Sequence, residues 1–282
     1  MSALPSMALV LTLALAGCLG GTVPPSPETP TPEVQPLRID IGGSGCTNTV
    51  LFQLLDFAVA TRFLPPGYHA KDPQDFLGSP AAFGQAAAVL LLVDCQESAR
   101  GGAWKTGFVG LYIEPPTVPG ADEGPNLHFY EVEHYADDLD GLLERLGWPV
   151  AVGSTFTFTS SLDEGPARVT EVADRDGPIL TFLTTHAAPY TLASGPVRLW
   201  HQLGNGTAAF DYDAQLDASF GSATCLTVRP GTTLATLVGE PAGLPIPGEN
   251  IVCPQDRLRF GAIFPGLSFT GRFWFLPGAR AL

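Results

Sequence analysis

Apolar residues fall along this chain in short blocks separated by Gly, Pro and Asp, and the spacing inside each block predicts its conformation. Leu37–Ile41 reads as a short strand, and Gly42-Gly43-Ser44-Gly45 after it as a turn at the start of the domain. Val50, Leu51, Leu54, Leu55, Ala58 and Val59 then recur at helical spacing. They predict a helix over 47–63, stopped by Leu64-Pro65-Pro66-Gly67. Ala86–Cys95 is apolar without interruption and of strand length, as expected of a strand buried on both faces. Five more strands are predicted: Thr106–Glu114, Asn126–Tyr135, Ser154–Leu162, Ala167–Asp174 and Pro178–His186. In the third of these, Phe156 and Phe158 share a face. Leu139, Leu142, Leu143 and Leu146 form one stripe, predicting a second helix over Asp137–Leu146 that Gly147 and Pro149 close. Pro196–Gly204 and Thr207–Asp217 read as a hairpin about Gly204-Asn205-Gly206, and short aromatic-rich strands follow as far as Phe275. No segment repeats at a fixed period of about 20–50 residues. The pattern predicts an α+β domain, mostly antiparallel β, built as a barrel or as two packed sheets with two or three short helices.

Two segments ahead of that domain differ from it. Residues 7–17, MALVLTLALAG, are apolar and uncharged. They match a signal-peptide core and fall short of the ~20 residues that a spanning helix needs. Leu15-Ala16-Gly17-Cys18 resembles a bacterial lipobox, in which small residues admit the peptidase and the thiol carries the lipid. The leading MSALPS has no Lys or Arg, so the α-amino group alone supplies the usual positive charge. Residues 19–36 hold six prolines among Thr, Ser and Glu, with almost no apolar bulk. Such a segment cannot pack and is expected to form an extended tether of roughly 50 Å. The chain therefore divides into a signal peptide (1–17), a lipidated cysteine with its tether (18–36) and one β-rich globular domain (37–282). This organisation places it on the extracytoplasmic face of a cell membrane.

Charge narrows the partners. Hydrophobic residues make up 45% of the chain, enough for a substantial core. Against 28 acidic residues stand 14 basic ones, a net charge of −14, which excludes nucleic acid and adhesion to anionic lipid through charge. The membrane partner is then reached through the lipid on Cys18. Setting Cys18 aside leaves Cys46, Cys95, Cys225 and Cys253, an even number in an oxidising compartment. Three pairings are open; Cys46–Cys95 with Cys225–Cys253 closes a modest loop in each case. Free buried thiols are the alternative. No two cysteines have metal-ligand spacing, and no cofactor is implied.

Candidate chemistry is sparse. The Gly42–Gly45 run imitates a phosphate-cradling loop, but Asn48 stands where a third glycine belongs, and the lysine and hydroxyl of a P-loop are missing. Of the five histidines (His69, His128, His134, His186 and His201), His128 and His134 fall on one face of a regular strand, some 20 Å apart. Glu131 and Glu133 fall on the other face about 7 Å apart, flanked by Phe129 and Tyr135. They offer an acid/base couple, or else two solvated carboxylates. Asp211, Asp213 and Asp217 share a face of FDYDAQLD, but Leu216 and Ser222 occupy the positions a calcium loop gives to Gly and Glu, so a solvated outer face is expected. Neither G-x-S-x-G nor HExxH occurs.

Three segments in order resemble the acetoacetate decarboxylase superfamily. These are Phe63-Leu64-Pro65-Pro66-Gly67-Tyr68, then AAAVLLLVDC with GFVGLYIEPP after it, then Leu146-Gly147-Trp148-Pro149 behind a helix. The resemblance implies a cone-like antiparallel barrel around an apolar pocket, to which Phe129, Tyr135 and Trp148 are assigned. Active members carry an aromatic-Pro-Lys-Lys run, one lysine forming a Schiff base. Here Val150 and Ala151 follow Trp148-Pro149, and the only lysines are Lys71 and Lys105. The expectation is a barrel that binds a small apolar or weakly acidic molecule without decarboxylase chemistry. An enzyme using Glu131 and Glu133, or a structural envelope protein without ligand, are the other readings.

Overall fold

A computed structural model describes residues 37–77, 83–98, 101–118, 121, 124–136, 148, 155–158, 167–185, 196–204, 206–214, 220–222, 224–239 and 259–276. Cys18, the signal and tether segments, the 137–146 helix, Val150, Ala151, His186, Asp217 and Cys253 lie outside them.

The largest departure from the sequence reading comes first along the chain. Leu37–Leu55 is one strand, β1, with neither the expected turn at 42–45 nor a helix from 47. Helix is confined to Phe57–Ala60 (α1) and a 3-10 turn at Thr61–Phe63. The physical reason lies in burial. Phe52 and Leu54 face the barrel interior while Leu51 and Leu55 face an outer cluster. A strand apolar on both faces leaves no period-2 signal and mimics a helical stripe. The glycines serve β-bulges instead: register shifts lie on both sides of Cys46. Gly45 adopts φ +60°, and a Cβ there would meet the Gln96 side chain at 2.9 Å.

β2 (Ala86–Ser98), β3 (Trp104–Tyr112) and β4 (Leu127–Ala136) follow as antiparallel neighbours, and α2 (Gln74–Leu77) sits before β2. β5 (Thr155–Phe158), β6 (Ala167–Asp174) and β7 (Gly177–Thr185) leave for a second sheet. β8 (Val197–Leu203) and β9 (Gly206–Ala214) form the expected hairpin, and β8 joins β4 in parallel from Leu127↔Val197 to Tyr130↔Trp200. β10 (Phe220–Ser222), β11 (Thr224–Val228), α3 (Thr233–Val238) and β12 (Arg259–Phe275) complete the described elements.

The sheet order β1-β2-β3-β4-β8-β9-β12 returns to β1 through antiparallel β1–β12 pairing, so the strands close into a barrel, with β10 added on β12. Closure leaves β1 without an open edge. Side chains from all seven strands fill the interior, among them Phe52, Leu91, Phe108, Phe129, Leu199 and Phe210. Gly271 on β12 is required there, because a Cβ would lie 2.5 Å from the Phe210 ring and 2.9 Å from Ile41. The second sheet, ordered β11-β7-β6-β5, packs Val172, Leu180 and Leu226 against Leu51, Leu90 and Val109 on the barrel's outer face. Each such fully buried aliphatic contributes about 1.5–3 kcal/mol. Thr232 caps α3 by accepting from Ala235 N, Gly239 ends it in the left-handed region, and Gln53 Nε2 donates to Val238 O at 3.0 Å.

A disulfide joins Cys46 to Cys95, which are direct register partners on β1 and β2. Cys225 lies on β11. The fold class is thus α+β, mostly antiparallel, and barrel-like. Among the described residues no helix is long and apolar enough to cross a membrane.

Candidate functional site

Pairing between β3 and β4 runs from Tyr112↔Phe129 to Gly110↔Glu131, then resumes at Val109↔Glu133. Val132 is the extra residue, a β-bulge that reverses which face the following side chains take. Phe129 and Glu131 point into the barrel before the bulge, and His134 and Ala136 after it. Glu133 and Tyr135 point outward, where Tyr135 joins the cluster under the second sheet and its hydroxyl donates to Glu133. This corrects the sequence expectation twice. Glu131 and Glu133 do not share a face, and neither do His128 and His134. Of the three pocket candidates, Phe129 and Trp148 lie in the interior cluster and Tyr135 does not.

Glu131 is 1% exposed, so it is not a solvated carboxylate. Its Oε1 accepts from Trp148 Nε1 at 2.7 Å and meets His134 Nδ1 at 3.1 Å. His134 Nε2 lies 2.9 Å from Thr106 Oγ1, and that hydroxyl is 3.1 Å from the Tyr135 carbonyl oxygen. The chain of contacts fixes a tautomer: Nδ1 donates to the carboxylate. Thr106 Oγ1 thus bridges the imidazole and the Tyr135 backbone, and holds the ring in place against Glu131.

The second oxygen, Glu131 Oε2, is buried and has no hydrogen-bond partner among the described residues. His201 Nδ1 on β8 is in the same position. The His201 ring lies 5.5 Å from the Trp148 indole and 6.0 Å from Tyr130. Burial pushes its pKa below the usual range, although the Glu131 charge and backbone pull the other way. Also inside the barrel, Asn48 Nδ2 donates to the Tyr212 hydroxyl, and burial pushes that phenol well up. Asn48 Oδ1 is a further buried atom without a partner.

Basic groups are engaged elsewhere. Lys71 bonds Asp75 and the Tyr112 hydroxyl, the latter at 3.0 Å. Partial burial opposes its charge, but these two partners raise its pKa above the usual lysine value. Asp72, next to Lys71 in sequence, braces the loop by accepting from Gln74 N and Gly84 N. Arg198, fully buried, forks onto Asp211 at 2.6 and 3.1 Å, so Asp211 belongs to an ion pair and not to a solvated face; Asp213 is exposed. Outside the barrel, His128 Nδ1 accepts from Trp200 Nε1 at 3.0 Å. Among the described residues no group of three or more His, Cys, Asp or Glu is placed to hold a metal ion.

Sequence reasoning missed His134, Thr106 and His201 as one constellation with Glu131, and Asn48 as an interior polar residue. Glu131 and His134 are three apart on a strand, which regular pleating puts on opposite faces. Val132 carries no bulge signal such as Gly or Pro.

Solved structures share this fold. An acetoacetate decarboxylase from Legionella pneumophila subsp. pneumophila str. Philadelphia 1 aligns over 91% of this chain and 95% of its own, with TM-score 0.57 and 11% identity. An acetoacetate decarboxylase-like enzyme from Sphingomonas wittichii RW1 aligns over 83% and 90%, with TM-score 0.53 and 12% identity. The enduracididine biosynthesis enzyme MppR, complexed with the condensation product of pyruvate and imidazole 4-carboxaldehyde, aligns over 92% and 95%, with TM-score 0.54 and 14% identity. No family model matches the sequence, and no curated protein does. At these identities the likeness is one of fold.

Proposed function

We propose that this chain is a lipid-anchored extracytoplasmic protein whose barrel holds a small, largely apolar molecule against Glu131, without decarboxylase chemistry. One observation carries the binding reading: a carboxylate 1% exposed, inside an aromatic-lined barrel, with one oxygen left unpartnered. A buried polar atom without a partner is costly, and a ligand's donor is one way to satisfy it. The fold is compatible, since MppR is a solved neighbour complexed with pyruvate. Decarboxylase chemistry lacks its nucleophile: Val150 and Ala151 replace the lysine pair, and Lys71 is held protonated by Asp75 and Tyr112. Anchoring rests on Leu15-Ala16-Gly17-Cys18 and the tether behind it.

Thr106–His134–Glu131 favours a second reading, an acid–base enzyme at the same place, with His134 in the role first given to Glu133. Native mass spectrometry of the full chain, released from detergent, separates the outcomes. A bound small molecule that is lost in Glu131→Leu is expected. Turnover of a hydrolase substrate panel that depends on His134 would favour the enzyme. Treatment with a β-keto acid and borohydride should add no mass; a stoichiometric adduct on either lysine would return the chain to Schiff-base chemistry. A protein that stays empty against a fragment library overturns the binding reading.

A further inference from the structure

We infer that the molecule held at Glu131 is a small organic cation, an ammonium or amidinium group on an apolar body. The inference rests on the binding reading above and adds the ligand's charge. Two buried atoms at the cluster, Glu131 Oε2 and His201 Nδ1, lack partners among the described residues. The first belongs to a carboxylate and can only accept once ionised. Its other oxygen already takes the two N–H groups within reach, from Trp148 and His134. His201 has its proton directed at the Glu131 backbone, and burial keeps the ring neutral, so Nδ1 presents a lone pair. Both atoms therefore accept and neither donates.

A carboxylate ligand would set oxygen against oxygen here. A neutral alcohol has one donor and would leave the other acceptor unmet. An ammonium brings three donors and an amidinium a planar fork of them, and either neutralises Glu131. The Trp148 indole, 5.5 Å from the His201 ring, adds attraction for a cation through its ring face. Among the described residues Arg198, Arg229 and Lys71 are bound to Asp211, Asp174 and Asp75.

The test uses the full chain in detergent and three probes of one size: benzylamine, benzyl alcohol and benzoate, titrated at pH 7 by calorimetry. Benzylamine is expected to bind at least about tenfold tighter than benzyl alcohol, and benzoate weakest. Glu131→Gln, checked for folding by circular dichroism, should weaken benzylamine far more than benzyl alcohol and so remove that preference. His201→Phe gives an independent arm, expected to weaken benzylamine more than benzyl alcohol. If benzyl alcohol or benzoate binds as tightly as benzylamine, or Glu131→Gln leaves the preference intact, the cation assignment falls and the barrel-binding reading stands. If none of the three binds the wild-type chain, both fall.

Discussion

Val132 shows how one residue decides the chemistry of a strand. Were the β3–β4 ladder regular, Glu131 and Glu133 would sit side by side and His134 would point out of the barrel. The bulge turns Glu133 outward and brings His134 to Glu131. Alternation along the chain marks the strand's extent and carries no sign of this, because a bulge at Val132 depends on pairing with β3. Outside the barrel His128 allows a pH prediction. Burial, then the charges of Arg198 and Lys71, push its pKa down from 6.5 to about 4, and Trp200 Nε1 donates to the lone pair a proton would occupy. Between those values the unfolded chain takes up a proton that the folded chain excludes. Its contribution to stability is thus complete above pH 6.5 and is lost as pH falls towards 4, at up to ~1.4 kcal/mol per pH unit. His128→Gln should keep an acceptor for Trp200 and flatten that slope. Denaturation midpoints of both proteins from pH 7 to pH 4 check this, and parallel slopes would refute it.

At the scale of elements, the strands bounded by Gly, Pro and Asp were legible, since turn chemistry is local. Ala86–Ser98, Ala167–Asp174 and the β8–β9 hairpin lie within a few residues of their sequence limits. β1 was not, because its two apolar faces imitate a helical stripe and its glycines serve bulges. The Cys46–Cys95 bond fastens the bulged part of β1, with register shifts on both sides of Cys46. Sequence narrowed this pairing to one of three, and the shared register of β1 and β2 accounts for it. Reduction should therefore loosen the β1–β2 ladder and destabilise the domain by ~2–5 kcal/mol. Thermal unfolding with and without reductant measures this, and unchanged melting temperatures would remove the bond from any structural role.

For the molecule as a whole, the sequence announced a barrel through three short segments and could not announce how it closes. That closure joins β1 to β12, residues over two hundred positions apart with no local signal between them. The proposed tether and anchor fall in segments outside the described residues, and their test is Cys18→Ala. The variant should partition into the aqueous phase of a detergent separation or persist as precursor, and partitioning like wild type would refute lipidation. The β1–β12 seam also sets the order of events during biogenesis. Leu37 pairs with Phe275 and Gln53 with Arg259, so the first strand to emerge has no partner on one side until the last is synthesised. A ladder of such long sequence separation forms slowly, because the intervening chain must first be confined. Until then β1 offers an open row of amides and carbonyls to any other nascent strand. Under the export proposed above, the vulnerable interval would be the one after translocation, and a chaperone that shields β1 is the form of help this architecture calls for.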